Sequence, residues 1–430
     1  MFSQKFKRYS RLNDNCFIRD RQLYFETLII FLIFGAVKTL AVGIPEFFEK
    51  FGKKNIACTK QAFSKARKNL SYFAFIYLND ILVGEHYKSD FNKYKGYRLL
   101  AVDGSKIELP HGDVIAKEFG GVTKEKKLLN RARAISIYDI TNKMIVQAKL
   151  YNYSTSERDC LVEQLQELKR KGRQINDVIV ADRGFPSLSV FIELKKMGYN
   201  FVIRYNGENF LKEFEEFAKI KCNDMNIIVN PKEVYRRKPK KVLLKATNNL
   251  QYGEIELRVV KIKLKSGTIE YLITSFLDKK EMTRQNLRNI YKMRWEEEEN
   301  FKYQKYTTEI ENFSGKCGEN INQDYHSRIL AINLHLSILR DANKQIKKEV
   351  KKKKTILKHK EYEANKNVSY GILNSYIIKL ITDNSVIWDN IYAELLSKIT
   401  RHKIAKRPER NYERRNKDFI KHPINIRRAI

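Results

Sequence analysis

Cysteine is sparse in this chain. Its five cysteines, Cys16, Cys58, Cys160, Cys222 and Cys317, lie far apart and include no CxxC pair. Neither a zinc site nor a disulfide framework is indicated, and the count fits a reducing cytosol. Long apolar runs are missing too. The longest, Thr27 to Val37, is bounded by Glu26 and Lys38, and its eleven residues are too few to span a bilayer. A buried helix is expected there, and no membrane partner. No basic n-region with a small-residue cleavage site precedes the run, so no signal peptide is expected. Acidic residues are outnumbered: Asp plus Glu total 50 against 84 Lys plus Arg, a formal net charge of +34. The excess is spread along most of the chain. A soluble chain this basic suits a polyanion, with nucleic acid the first candidate. A ribosome-like or membrane-surface protein is the other class that fits.

What is present allows a folded protein. The hydrophobic share of 43% over 430 residues supports a core and two to three domains. No internal repeat is visible. Residues 1–92 read as helical. Thr59 is a candidate N-cap for a helix whose apolar face is Ala62, Phe63, Ala66 and Leu70, with Lys60, Lys65, Arg67 and Lys68 outside it. A helix–turn–helix-like DNA module and an ordinary basic amphipathic helix both fit that pattern. From Tyr97 the pattern becomes strand-like. One strand carries Asp103 at its tip, and two β-rich runs joined by Thr141-Asn142 form a hairpin. A helix over 157–171, a nearly all-apolar strand over 177–182, a helix over 187–198 and a strand over 199–205 follow. The order implies a mixed α/β sheet. Residues 206–280 read as a β-rich insertion containing a basic loop, 236–241. Helix resumes near Thr283, and the chain after Gly318 reads as helical and basic.

Tyr291, Arg294, Glu298 and Lys305 stand at offsets 0, +3, +7 and +14. At about 100° per residue they fall within roughly 60° of one another on a helix. A carboxylate there can hold a divalent metal and the cations can hold phosphate; a solvated acidic run, Glu296 to Glu299, fits as well. On the same helical wheel Glu296, Glu297 and Glu299 leave the stripe, so they are expected to face solvent or pack elsewhere. Asp103 and Asp182 each end an apolar strand, and Gly104 and Gly184 follow them closely. Either Asp alone fits a turn residue. Together, strand-end acids can converge above a sheet, with the helix supplying Glu298. Such a cluster is costly unless a cation neutralises it. Two Mg²⁺ ions, with Mn²⁺ as a substitute, about 3.5–4 Å apart, would serve an in-line phosphoryl displacement.

With these residues the sequence resembles the DDE transposases of bacterial insertion sequences, the branch with the Y-x2-R-x3-E-x6-K signature. Tyr291, Arg294, Glu298 and Lys305 match every spacing. Trp295, Phe301 and Lys302 sit where that family often has RW and FK, and VDGS at Asp103 and ADRGF at Asp182 resemble its two Asp motifs. The resemblance covers roughly 100–320. It implies an α/β fold: an RNase H-like mixed-sheet core with a β-rich insertion, flanked by helical N- and C-terminal regions. The corresponding domains are 1–92 for DNA binding, 93–320 for catalysis with 206–280 inserted, and 321–430 as a basic helical end. It implies that Asp103, Asp182 and Glu298 bind the metals. Tyr291, Arg294 and Lys305 would contact DNA near the transposon end, joined by Lys302, Arg183 and Ser105. Activity would be cut-and-paste DNA transposition by a homodimer on double-stranded DNA, both transposon ends and target, in the bacterial cytoplasm at the nucleoid. A nuclease on the same core and a non-catalytic DNA-binding copy are the rivals. Two features depart from the family. Trp295 and Trp388, the only tryptophans, lie outside the insertion, leaving Tyr235, Tyr252 or Phe210 to stack a flipped base. Glu297 stands where an apolar residue is usual.

Overall fold

The structure is a computed structural model that describes residues 3–18, 25–35, 39–50, 58–124, 127–205, 212–236, 251, 253–264, 266–352, 359, 361–382 and 385–406. The chain forms two compact units, one of residues 83–302 and one of residues 1–82 with 303–430. The N- and C-terminal segments therefore share a unit.

Residues 83–302 are built on one sheet. Its strands are β1 (Arg98–Glu108), β2 (Gly121–Lys124), β3 (Lys127–Asp139), β4 (Met144–Asn152), β5 (Asp177–Ala181), β6 (Asn200–Tyr205), β7 (Asp224–Val229), β8 (Ile255–Lys263) and β9 (Ile269–Thr274). Strand β3 lies between β4 and β1 and is antiparallel to both, and β5 and β6 continue parallel to β1. This order, three antiparallel strands and then two parallel ones reached through helices, is that of an RNase H-like core. The insertion extends the same sheet: β9, β8 and β7 add antiparallel beyond β6. The strand-like run KKVLLKAT expected at 240–247, residues 237–241 of the basic loop, Phe210 and Tyr252 lie outside the described residues. Tyr235 is buried in the core and so is not free to stack on a base.

The sheet's register follows from its sequence. All of β5 is buried, as expected for a parallel strand covered on both faces. At the head of the β1–β5 ladder Arg98 pairs with Asp177, both buried, with Nε–Oδ1 2.6 Å and Nη2–Oδ2 2.9 Å. A one-residue slip would separate that pair and turn every side chain to the wrong face. Val102, Ile135, Ile137 and Ala181 join the core beneath helices Glu157–Arg170 and Leu188–Met197. Asp103, Ser136 and Asp182, one residue out of phase with these, belong to the other face. Asp139 closes the β3–β4 hairpin, its carboxylate accepting the N–H groups of Thr141 and Asn142 at 2.9 Å each.

The other unit is helical, centred on helix Gly318–Lys352. As far as Gly35 the apolar run lies in buried helix Phe25–Ile30 and a π-helical turn, Phe31–Gly35. No helix among the described residues is long and apolar enough to cross a membrane. Thr59 caps helix Lys60–Arg67, accepting the Ala62 N–H at 3.2 Å. Arg67 departs from the expected basic surface. It is buried, with its guanidinium on Asp324 at 2.7 Å, Gln323 at 2.6 Å and Ser314 at 2.6 Å. Its partners lie some 250 residues away in sequence, which a local apolar pattern cannot reveal.

Candidate active site

The last β1–β5 register pair is Val102 with Ala181, so Asp103 and Asp182 leave the parallel ladder side by side. β1 itself does not end at Asp103; it continues to Glu108 against β3. Gly104 accordingly serves space rather than a turn. A Cβ there would lie 2.7 Å from Glu157 Oε1.

Helix Arg284–Met293 starts at Thr283 with a reciprocal capping box to Asn286. This fixed start sets the phase of Tyr291 and, one turn on, Arg294. Arg294 keeps helical dihedrals, φ −52° and ψ −31°, at the link to helix Trp295–Lys302. Tyr291 OH donates to Asp182 Oδ1 at 2.9 Å. Arg294 Nη2 donates to Glu298 Oε1 at 2.8 Å, and Nη1 stands 3.6 Å from Asp103 Oδ2. The structure thus brings Asp103, Asp182, Glu298, Tyr291 and Arg294 together, with buried Arg294 holding two of the acids.

The two aspartates differ electrostatically. Burial pushes the Asp103 carboxyl up to about 6; the charges of Asp182 and Glu298 reinforce the rise, and the Gly104 N–H and Arg294 oppose it. Burial acts on Asp182 too, but the Arg183 N–H, Arg294, Tyr291 and Arg204 outweigh it and hold that carboxyl below its usual value. Burial, then the Asp182 charge, keeps the Tyr291 phenol protonated far above neutral pH.

The other expected residues are arranged differently. Lys302 is exposed and pairs with Glu299 at 2.6 Å, over the Trp295 ring. Arg183 is exposed next to Asp182. Ser105 is half-buried on β1 opposite Ala134. Lys305 belongs to the helical unit, in the π-helical turn Tyr303–Thr307, with Nζ 3.2 Å from Glu311. That turn interrupts the 100° advance by which the stripe's fourth member is placed. Glu296 pairs with Lys143 at 2.5 Å. Glu297 is fully buried. Its Oε2 accepts Asn300 Nδ2 at 3.1 Å, and the Ser136 hydroxyl of β3 faces its carboxyl, which burial pushes well above its usual value.

Three neighbours escape the sequence reading. Arg204 of β6 stands 3.9 Å from Asp182 Oδ1 and 3.3 Å from Glu270 Oε1 of β9. Glu157 pairs with Arg133 and packs against Gly104 and Gly184, while Arg158 Nε donates 3.0 Å to the Gly184 carbonyl. Only a paired register brings these residues close, so no linear spacing announces them.

Among the described residues no three His, Cys, Asp or Glu side chains stand close enough to hold a metal ion as arranged. The chemistry of the donors nonetheless fits a hard divalent cation, since all three offer carboxylate oxygens. Asp103, raised chiefly by burial and further by its acidic neighbours, is a group that added positive charge would ionise.

Comparison with known proteins is consistent with this geometry. No curated protein matches the chain. Among solved structures it is similar to a piggyBac transposase synaptic complex with hairpin DNA, at 10% identity, 92% of this chain and 76% of that chain covered, TM-score 0.43. It is also similar to a Mos1 transposase paired-end complex with the left transposon end, at 12% identity, 46% and 64% covered, TM-score 0.18. A family model, the transposase DDE domain, matches residues 94–334, more than half of the chain and the whole of the acidic site. The chain therefore belongs to the DDE transposases, a family of polynucleotidyl transferases of DNA transposition.

Proposed function

We propose that the chain is the transposase of a bacterial insertion sequence. It binds terminal inverted repeats, cuts the DNA strand and joins the freed 3′-OH to target DNA, as a homodimer acting at the nucleoid. The observation that carries this reading is the meeting of Asp103, Asp182 and Glu298, from β1, the end of β5 and a later helix, around Tyr291 and Arg294. Asp103, Asp182 and Glu298 would hold Mg²⁺, as two ions for which Mn²⁺ can substitute. When bound, the metal supplies the Lewis acidity that a phosphodiester displacement needs. Tyr291 fixes the orientation of Asp182. Arg294 holds Asp103 and Glu298 and offers a planar cation suited to a phosphate. Arg183, Lys302 and Lys305 follow as contacts to the DNA backbone, and residues 1–92 as a recognition region for the ends.

A nuclease without strand transfer would use the same residues, so the test must score joined product. Wild-type protein is incubated with a duplex carrying the element's end, target DNA and Mg²⁺. Joined product is expected. Asp103→Asn and Asp182→Asn should each lower cleavage on the order of 10³-fold or more while DNA binding persists. Cleavage at the wild-type rate in either variant would sink the assignment; cleavage without joining would favour the nuclease.

A further inference from the structure

Strand β8 and the first turns of helix Arg284–Met293 line a cleft of about 360 Å³. Its wall carries Lys261, Lys263, Arg284 and Arg288, with the amides of Asn223 and Gln285, and no acidic side chain. The two lysines share a face of β8 by the strand's period of two. The two arginines are one helical turn apart. Lys261 is only 8% exposed. Its Nζ donates to the carbonyls of Ile220 at 2.6 Å and Ala218 at 3.3 Å and lies 4.7 Å from the centre of the Phe217 ring. An ammonium has three N–H donors, so one remains. Lys261 meets no carboxylate among the described residues, nor do Lys263, Arg284 and Arg288. The other buried Lys and Arg side chains described in this unit, Arg98, Arg258 and Arg294, each meet one. A buried cation without a counter-charge is costly, and here three more cations stand beside it.

We propose that this cleft binds a backbone phosphate of the DNA, as an anchor separate from the carboxylate site. The identity of its anion rests on the reading of the chain as a DNA-cutting enzyme; the cleft's preference for an anion does not. From Arg288 to Glu298 the chain advances ten residues, about 15 Å of helix. That is the rise of about four to five base pairs. A duplex held in the cleft would thus be fixed in register a few base pairs from the carboxylates.

The test uses full-length protein with Lys263→Gln, Arg284→Gln and Arg288→Gln combined, all at exposed positions. DNA affinity is measured over a series of salt concentrations. The triple variant should lose about 2 to 3 units of the log–log salt slope and about tenfold or more in affinity at physiological salt. Arg284→Lys with Arg288→Lys should keep the slope. Combined Lys117→Gln, Arg170→Gln and Lys232→Gln, exposed cations elsewhere in the same unit, should lose less than about one unit. An unchanged slope in the first variant, or equal losses in both, overturns the proposal. If inorganic phosphate raises the melting temperature of wild type but not of the triple variant, and the DNA slope is unchanged, the ligand is free phosphate and the DNA assignment falls. Wild-type protein that binds DNA through the cleft but never cuts it would remove the transposase reading and leave the cleft.

Discussion

Two sites along residues 284–302 show opposite charge imbalances. Around Arg294, three carboxylates approach one guanidinium. Around Lys261, four cations line a cleft with no acid. The net charge of +34 would suggest a uniformly basic surface, yet this short stretch borders both extremes. Each imbalance states the sign of what it lacks. The acidic site is short of a cation and the cleft is short of an anion. A phosphodiester backbone with a divalent metal would supply both. The two differ in origin as well. The acids are assembled by the parallel core strands β1 and β5, whereas the cleft uses β8, an antiparallel strand of the insertion.

The sharpest way to break the acidic side is Glu298→Gln. It removes the negative charge that pairs with Arg294 and that a metal would need, while keeping a carbonyl acceptor, so cleavage should fall on the order of 10³-fold or more. Glu296→Gln and Glu299→Gln, whose side chains pair with Lys143 and Lys302 at the surface, should stay within a few-fold. Activity surviving in Glu298→Gln but lost in Glu299→Gln would show the wrong helical register. Glu297 gives a different kind of loss. It is buried against β3, so Glu297→Ala should cost about 2–3 kcal/mol of stability, through a cavity and an orphaned Asn300 amide. Glu297→Gln keeps the shape and a hydrogen-bonding carbonyl and should be close to neutral. Chemical denaturation separates the two variants, and an alanine variant as stable as wild type would refute the anchoring role.

These differences track what a linear sequence can reveal. Helix phase was legible through Glu298, because Thr283 starts the helix cleanly and the 3.6-residue period persists that far. It failed for Lys305, where a π-helical turn intervenes. The core strands were legible because β5 is apolar throughout. The insertion was legible as β structure but not as a continuation of the core sheet, since edge pairing with β6 leaves no local pattern. Asp103 and Asp182 were recognisable as strand-associated acids. That they lie level depends on the Arg98–Asp177 register pair. Glu157, Arg204 and the cleft around Lys261 arise only from long-range pairing. Glu297 was expected to leave the stripe, and it does, but its destination is the sheet because β3 presents Ser136 there.

The smallest predicted effect tests the cation shortage directly, by stability rather than rate. In metal-free protein, the Asp103 carboxyl lies at about 6 against an ordinary 3.8. The folded state therefore binds the Asp103 proton more tightly than the unfolded chain does. Its stabilising contribution is fully present below about pH 4 and is lost as pH rises to about 6. Above that, the ionised carboxylate disfavours the fold by at most about 3 kcal/mol. The side chain is 26% exposed, so solvent screening should reduce this to about 1–2 kcal/mol. Asp103→Asn, neutral at every pH, should then be more stable than wild type by about that much at pH 8 in EDTA, and equal to it near pH 4. Added Mg²⁺ should narrow the pH 8 gap by stabilising wild type more than the variant, because only wild type keeps all three carboxylates. Paired thermal melts with and without metal read both effects. A gap at pH 8 that is absent, or that Mg²⁺ widens, would mean that these acids are already balanced by Arg294, and the contrast with the cleft would lose its acidic half.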